Sequence, residues 1–304
     1  MKKVALFSGQ GSQYVGMLKD YYENNIESKT LIDKADELLG YSLSDICFNG
    51  PVEKLKETRY TQPAIFLHSA VVSSMTKEKL IIEGVAGHSV GEYAALYSAG
   101  VISFEDAVKL VSLRGELMFT AGENEPGTMF AVIGMEDDVL IEICKELNTN
   151  GNIVVPANFN SPGQIVISGS RDYLRENSGI FKERGARMAM ELPVSGAFHS
   201  PLMKPAQDKL AEAISNIEFR NANIPLYTNV DAKPETSSKE LKKKLIEQLT
   251  APVLWTKILN NLQKDGFTDF IEMGPGNVLQ GLCKRTLKDI NISGFDKLQD
   301  IENV

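Results

Sequence analysis

The chain has 304 residues, 43% hydrophobic and 24% charged, with a formal net charge of −8. That balance suits a soluble globular protein with one large core or two domains, held by packing rather than staples. The negative charge argues against a nucleic-acid binder, which needs a basic surface to neutralise phosphates, and no stretch approaches the ~20 apolar residues of a membrane span.

The opening "MKKVALFSGQG" has an apolar run only from Val4 to Phe7, too short for a signal peptide. Residues 3–7 read instead as a strand running into "SGQGSQ". Gly9 and Gly11 begin a GxGxxG, but position 14 is Tyr, and no GxxxxGK[ST] occurs. A dinucleotide or phosphate loop therefore fits poorly, and a glycine turn that brings a backbone N–H to a nearby site stays open. Helical patterns follow at 29–39 and 62–79, then a short apolar strand through Val85 and Ala86, then "GHSVGEY" at 87–93. Two helices come next, the second over 103–120 with Ser103 as N-cap, Asp106 three residues on, and an end near Gly122.

From Gly127 the order changes. Residues 127–134 read as strand, 136–147 as helix, 152–159 and 164–169 as strands, 170–184 as helix and 186–194 as strand. That β-α-β-β-α-β order is the ferredoxin-like arrangement. After residue 200 the α/β rhythm resumes, with helices at 203–215, 238–249, 252–264 and 277–287 and strands at "IPLYTN" and "TDFIEMG". The expected fold is α/β: a large α/β-hydrolase-like domain with a parallel sheet, from 1–125 and 198–304, interrupted by a small ferredoxin-like domain at 126–197. A cleft between the two would be a favoured site.

Ser89 sits between Gly87 and Gly91, after a strand and before a helix. A sharp strand-to-helix turn exposes a serine hydroxyl, and the glycines permit the strained backbone. The same pattern also fits a capping serine. Were Ser89 a nucleophile, the Val90 N–H at the helix start would point at an oxyanion. The candidate bases are His68, His88 and His199. His68 lies in a helical stretch and reads as a core histidine, and His88 is adjacent to Ser89 around a sharp turn. His199, in "VSGAFHSPLM", stands where the chain crosses back into the large domain, just before a helix start whose dipole favours neutral imidazole. No carboxylate near it offers itself as a third member, and a carbonyl oxygen can accept the Nδ1 proton instead.

Arg114 falls on the stripe formed by Ala107, Leu110, Val111, Leu117 and Met118. A cation facing inward pairs with a protein carboxylate, snorkels to the surface, or awaits an anionic ligand. Beside an acylating serine, the third option is a clamp for a substrate carboxylate. Cys47, Cys144 and Cys283 are odd in number, far apart and outside metal spacing, so neither disulfides nor zinc is expected, and a reducing cytoplasm fits.

Together, "GQGSQ" at 9–13, "GHSVGEY" at 87–93, Arg114 in "SLRGELM", "NFNSPGQIVISG" at 158–169, "GAFHSPLM" at 196–203 and "MGPGNVLQGL" at 273–282 closely resemble the malonyl-CoA:acyl-carrier-protein transacylases, over almost the whole chain. The resemblance implies Ser89 as the acylated nucleophile, His199 as general base and Arg114 as the malonyl carboxylate ligand. It also implies backbone N–H groups of Gln10 and Val90 as the oxyanion hole, Gln248 as the residue orienting the histidine, and Phe198 as a malonyl-selecting ring. It implies ping-pong transfer from malonyl-CoA to the phosphopantetheine thiol of an acyl carrier protein, with no metal and no bound cofactor, by a cytoplasmic monomer that binds neither nucleic acid nor membrane. Lys182, Arg184, Arg187, Lys284 and Arg285 are candidate contacts for an acidic carrier. Fatty-acid and polyketide synthesis are both open. The rival readings are an acyl hydrolase of the same fold, disfavoured by Arg114, and a non-catalytic carrier-docking module.

Overall fold

The computed structural model describes residues 2–302. In chain order the strands are β1 (Lys2–Phe7), β2 (Gly84–Gly87), β3 (Gly127–Ile133), β4 (Val154–Ser161) and β5 (Gln164–Ser170), then β6 (Met188–Glu191), β7 (Leu226–Tyr227), β8 (Pro234–Glu235), β9 (Phe267–Met273) and β10 (Asn291–Phe295). They form a six-stranded sheet ordered β10-β9-β1-β2-β7-β8 and a four-stranded sheet ordered β4-β5-β3-β6.

The large sheet is parallel from β10 through β7, and only β8 runs antiparallel, at the edge beside β7. Its centre explains the apolar run seen in the sequence. Val4 and Leu6 of β1 pack into one hydrophobic cluster with Phe270 and Trp255, while Ala5 and Phe7 pack into another with Val85 and Met273. A strand alternates its side chains between faces, so a β1 covered on both sides must be apolar at every position from 4 to 7. The helices Thr58–Thr76 and Phe104–Asn124 supply much of the second cluster, through residues such as Phe66 and Val111.

The four-stranded sheet is antiparallel throughout. Phe130, Val132, Ile165 and Ile167 pack with Leu140 and Ile143 of the helix Asp137–Leu147 in a cluster of their own. Their in-between neighbours Met129 and Val166 join the main core instead. Two hydrogen bonds, Phe159 N–H to Val253 O (2.9 Å) and Val253 N–H to Ala157 O (2.8 Å), tie β4 to the segment before the helix Trp255–Lys264.

Several elements differ from the sequence reading. The helix expected over 170–184 breaks into Arg171–Asn177 and Gly179–Glu183. "IPLYTN" keeps only two residues in the sheet, because Asn229 is drawn away to the Ser89 turn. Ser103 does cap its helix, accepting from Asp106 N, but that helix continues to Asn124 with Gly122 inside it. A Cβ at Gly122 would lie 2.0 Å from the Ser195 carbonyl oxygen, so the glycine serves a close backbone crossing and not a stop. No described helix is long and apolar enough to cross a membrane.

Candidate active site

β1 and β2 are parallel neighbours with Phe7 opposite Gly87, so the turns that follow them emerge side by side at one sheet edge. The crevice beyond the carboxyl ends of parallel strands, where connections diverge, is the favoured ligand position in such sheets. His88 N donates to Phe7 O at 3.0 Å and locks the two turns together. Ser89 has φ of 53°, a left-handed conformation that is costly for a residue with a side chain. The flanking glycines are required by space. A Cβ at Gly87 would sit 2.0 Å from the Gly91 carbonyl, and one at Gly91 would sit 2.2 Å from Phe7 O. Asn229 holds the turn from outside, accepting from Ser89 N at 2.8 Å through Oδ1 and donating to Gly87 O at 2.7 Å through Nδ2.

The Ser89 hydroxyl meets His199 and Arg114 together. His199 Nε2 is 2.7 Å from Ser89 Oγ, and Arg114 Nη2 donates to the same oxygen at 3.1 Å. On its other side, His199 Nδ1 lies 3.0 Å from Gln248 O and 3.2 Å from Ala251 O. Carbonyls only accept, so Nδ1 carries the proton and Nε2 is left to receive the serine's. Burial, followed by the nearby Arg114 charge, pushes the His199 pKa down to about 3. The imidazole is therefore neutral at physiological pH and available as a base. His199 is itself left-handed (φ 57°), and Ser200, whose hydroxyl donates to Ala197 O and accepts from Leu202 N, fixes the backbone just beyond it.

Arg114 is 1% exposed, and no carboxylate lies within ion-pair distance among the described residues. Its partners are neutral: Gln62 Oε1 at 2.6 Å, Gln248 Oε1 at 3.1 Å and the Ser89 hydroxyl. Burying a cation among neutral direct partners costs several kcal/mol unless an anion offsets it. The sequence placed Arg114 on an apolar stripe, and the structure buries Ala107, Leu110, Val111 and Met118 beside it, with Leu117 half-buried.

These groups line a cavity of about 170 Å³ together with Gln10, Val90 and Phe198 from the large sheet's side and Met129, Asn160, Val166 and Leu192 from the small sheet's side. Among the described residues, neither the Gln10 nor the Val90 backbone N–H has a protein acceptor. A thioester carbonyl polarised there, a serine activated by imidazole and a carboxylate held by guanidinium are within the chemistry of this arrangement.

Of the other two histidines, His88 Nε2 is hydrogen-bonded to Asn160 Oδ1 at 2.8 Å. His68 is fully buried away from the cavity, 3.3 Å from Asp296. Gln248 approaches His199 through its backbone carbonyl, while its side chain spans Arg114, Ser89 O and Glu92. Sequence reasoning missed Gln62, Asn229 and Glu92. The Glu in "GHSVGEY" was the one visible signal, since a carboxylate one turn past a buried elbow must find partners. Lys182, Arg184, Arg187, Lys284 and Arg285 are all exposed, and Arg184 pairs with Glu146. Cys47, Cys144 and Cys283 are free and buried, and no metal-binding cluster occurs among the described residues.

A histidine imidazole and an arginine guanidinium meet one serine hydroxyl in a cleft, an arrangement that suits acyl transfer. The chain belongs to the acyl transferase domain family, whose profile matches residues 4–302. It is 45% identical to the malonyl CoA-acyl carrier protein transacylase of Bacillus subtilis strain 168, over 98% of this chain and 96% of that one. Among solved structures, an acyl carrier protein S-malonyltransferase from Vibrio cholerae superposes with a TM-score of 0.95 at 42% identity, covering 100% of this chain and 99% of that one. A malonyl-transacylase in complex with a type II PKS acyl-carrier protein also gives 0.95, at 38% identity, covering 100% and 98%.

Proposed function

We propose that this acyltransferase moves malonyl from malonyl-CoA to the phosphopantetheine thiol of an acyl carrier protein, through malonyl-Ser89, in fatty-acid or polyketide synthesis. The observation that carries the reading is Arg114: a buried guanidinium whose direct partners among the described residues are all neutral, 3.1 Å from the Ser89 hydroxyl. A cation so placed selects an acyl group that ends in a carboxylate.

In the forward half-reaction His199 Nε2 takes the Ser89 proton as Oγ attacks the thioester carbonyl. The oxyanion is met by the Gln10 and Val90 N–H groups, and CoA leaves with the proton from His199. The substrate also tunes the base. Arg114 depresses the His199 pKa, so a malonyl carboxylate on Arg114 relieves that effect and makes the imidazole a stronger acceptor. In the second half the carrier thiol gives its proton to His199 and attacks the ester; malonyl passes to the sulfur, and His199 returns the proton to the Ser89 oxygen. Phe198, 5% exposed on the cavity wall, crowds the space an α-methyl group would need. Gln248 orients the histidine through its carbonyl.

The small unit at 126–197 is read as a ferredoxin-like insertion in an α/β-hydrolase-like domain at 1–125 and 198–304. The order β4-β5-β3-β6 and a separate hydrophobic cluster support it. Met1, Asn303 and Val304, within those bounds, lie outside the described residues. The protein is read as a monomer. The free thiols fit the cytoplasm, the reaction calls on no metal or resident cofactor, and the partners are malonyl-CoA and the carrier, with no role for nucleic acid or membrane. The acidic carrier would meet the basic side chains at 182, 184, 187, 284 and 285. Hydrolysis of neutral acyl groups is disfavoured, since a neutral acyl group offers Arg114 no anion in direct contact.

Intact-mass measurement after incubation with malonyl-CoA tests the reading. The wild type should gain one malonyl group and Ser89→Ala none. No adduct on the wild type, or an undiminished adduct on Ser89→Ala, would refute it.

A further inference from the structure

The countercharge of Arg114 is not among its direct partners, which are all neutral. It is found one residue further out, at Glu92, 2% exposed on the helix Gly91–Ser98 that begins at the elbow. The Gln248 amide spans the two: its Oε1 accepts from Arg114 Nη2 at 3.1 Å, and its Nε2 donates to Glu92 Oε2 at 2.9 Å. Asn229 N donates to the same carboxylate oxygen at 3.0 Å. An amide oxygen only accepts and an amide nitrogen only donates, so this bridge is polarised in the one sense that suits a cation at one end and an anion at the other. No acyl-transfer step uses Glu92.

Binding a malonyl carboxylate on Arg114 adds a second anion to a water-poor site that holds one cation. Like charges that share such a site do not both stay ionised when one can take a proton. We propose that Glu92 is an exchangeable countercharge: ionised opposite Arg114 in the free enzyme, and protonated from solvent at Oε1, the oxygen without an N–H donor, when malonyl occupies the clamp. The buried site then carries one cation and one anion in both states.

The surroundings of Glu92 allow this exchange. Burial raises its pKa to about 7, against the lowering by Gln248, Asn229 and Arg114. The titratable groups facing it are Arg114 on the helix Phe104–Asn124, Tyr93 on its own helix, and Asp231 after β7, which raises its pKa and is itself paired to Lys244 at 3.1 Å. Neutralising Arg114 with substrate removes one of the three lowering influences, so the proton is drawn in from solution above pH 7. Malonyl affinity should then fall as pH rises, by up to about tenfold per unit.

The inference rests on the malonyl reading, and the test separates the two. Ser89→Ala protein, which cannot turn over, is titrated calorimetrically with malonyl-CoA at about pH 8 in buffers of different ionisation enthalpy, with acetyl-CoA alongside. Expected is an uptake of about half to one proton with malonyl-CoA and none with acetyl-CoA, with uptake lost in Ser89→Ala/Glu92→Gln. Binding of malonyl-CoA without proton uptake, or undiminished uptake in the Glu92→Gln protein, overturns the countercharge alone. Failure of malonyl-CoA to bind overturns the substrate reading on which it stands. Should Glu92→Gln not fold, infrared difference spectra of the wild type decide: a protonated-carboxyl band must appear on malonylation and not on acetylation, and its absence sinks the proposal.

Discussion

Among the described residues, the groups within hydrogen-bonding reach of the Ser89 hydroxyl are Arg114 and His199, which come from elements packed on the six-stranded sheet or from the segment that returns to it. The four-stranded sheet contributes side chains to the opposite wall instead, Met129, Asn160 and Val166 among them. The parallel sheet, buried on both faces, can hold a strained serine and a buried cation with neutral direct partners because its core over-determines their positions. The antiparallel sheet has one face in its own small core and the other toward the cleft, so its residues can vary the cavity without disturbing the reacting atoms. Substitutions on the large sheet's side should therefore change rate, and those at the boundary between the two sheets should change acyl fit.

The largest effect is expected of Ser89→Ala, which should lower transfer of every acyl donor by about 10³-fold or more in a carrier-acylation assay. Arg114→Ala comes next. It should cost malonyl transfer about 2–5 kcal/mol while acetyl transfer falls far less, read as kcat/KM for each donor. An equal loss for both would make Arg114 a structural cation. Phe198→Ala, at the boundary, should shift the methylmalonyl-to-malonyl ratio of kcat/KM by about 1–3 kcal/mol toward methylmalonyl, with little change for malonyl itself. The smallest effect concerns pH. Because burial and Arg114 lower the His199 pKa, the base stays neutral as pH falls through the ordinary histidine range, and protonation removes it only below that range. Acylation kcat/KM, which reports the free enzyme, should therefore show its acid limb well below about 6.5. A limb at or above that value would contradict the assignment.

Much of this was legible in the sequence, for reasons that differ by residue. Ser89 announces itself because its turn needs glycines at 87 and 91, and each meets backbone within 2.2 Å of where a Cβ would be. Arg114 is visible because a helix repeats every 3.6 residues and a cation on the wrong face stands out. Gln62 and Asn229 were not legible: their hydrogen bonds join positions 52 and 140 apart, and no local pattern says that a glutamine in "YTQPAIF" will face an arginine. Short elements escaped too. The helices Lys19–Asn24 and Leu43–Asn49 are too brief to show a period, and β10 has half-buried or exposed residues at all but one position. The resemblance pointed to Gln248 beside His199, but which of its atoms makes the contact, the backbone carbonyl, had no local signal.

The central claim is that Ser89 and Arg114 act together to choose a carboxylate-bearing acyl group. A competition tests it most directly: malonyl-CoA and acetyl-CoA in equal amounts, with the adducts weighed intact and mapped by peptide. The wild type should carry malonyl on Ser89 almost alone, and Arg114→Ala should lose that preference while still acylating Ser89. A malonyl preference that survives Arg114→Ala, or a malonyl group mapped to any residue other than Ser89, would contradict the account.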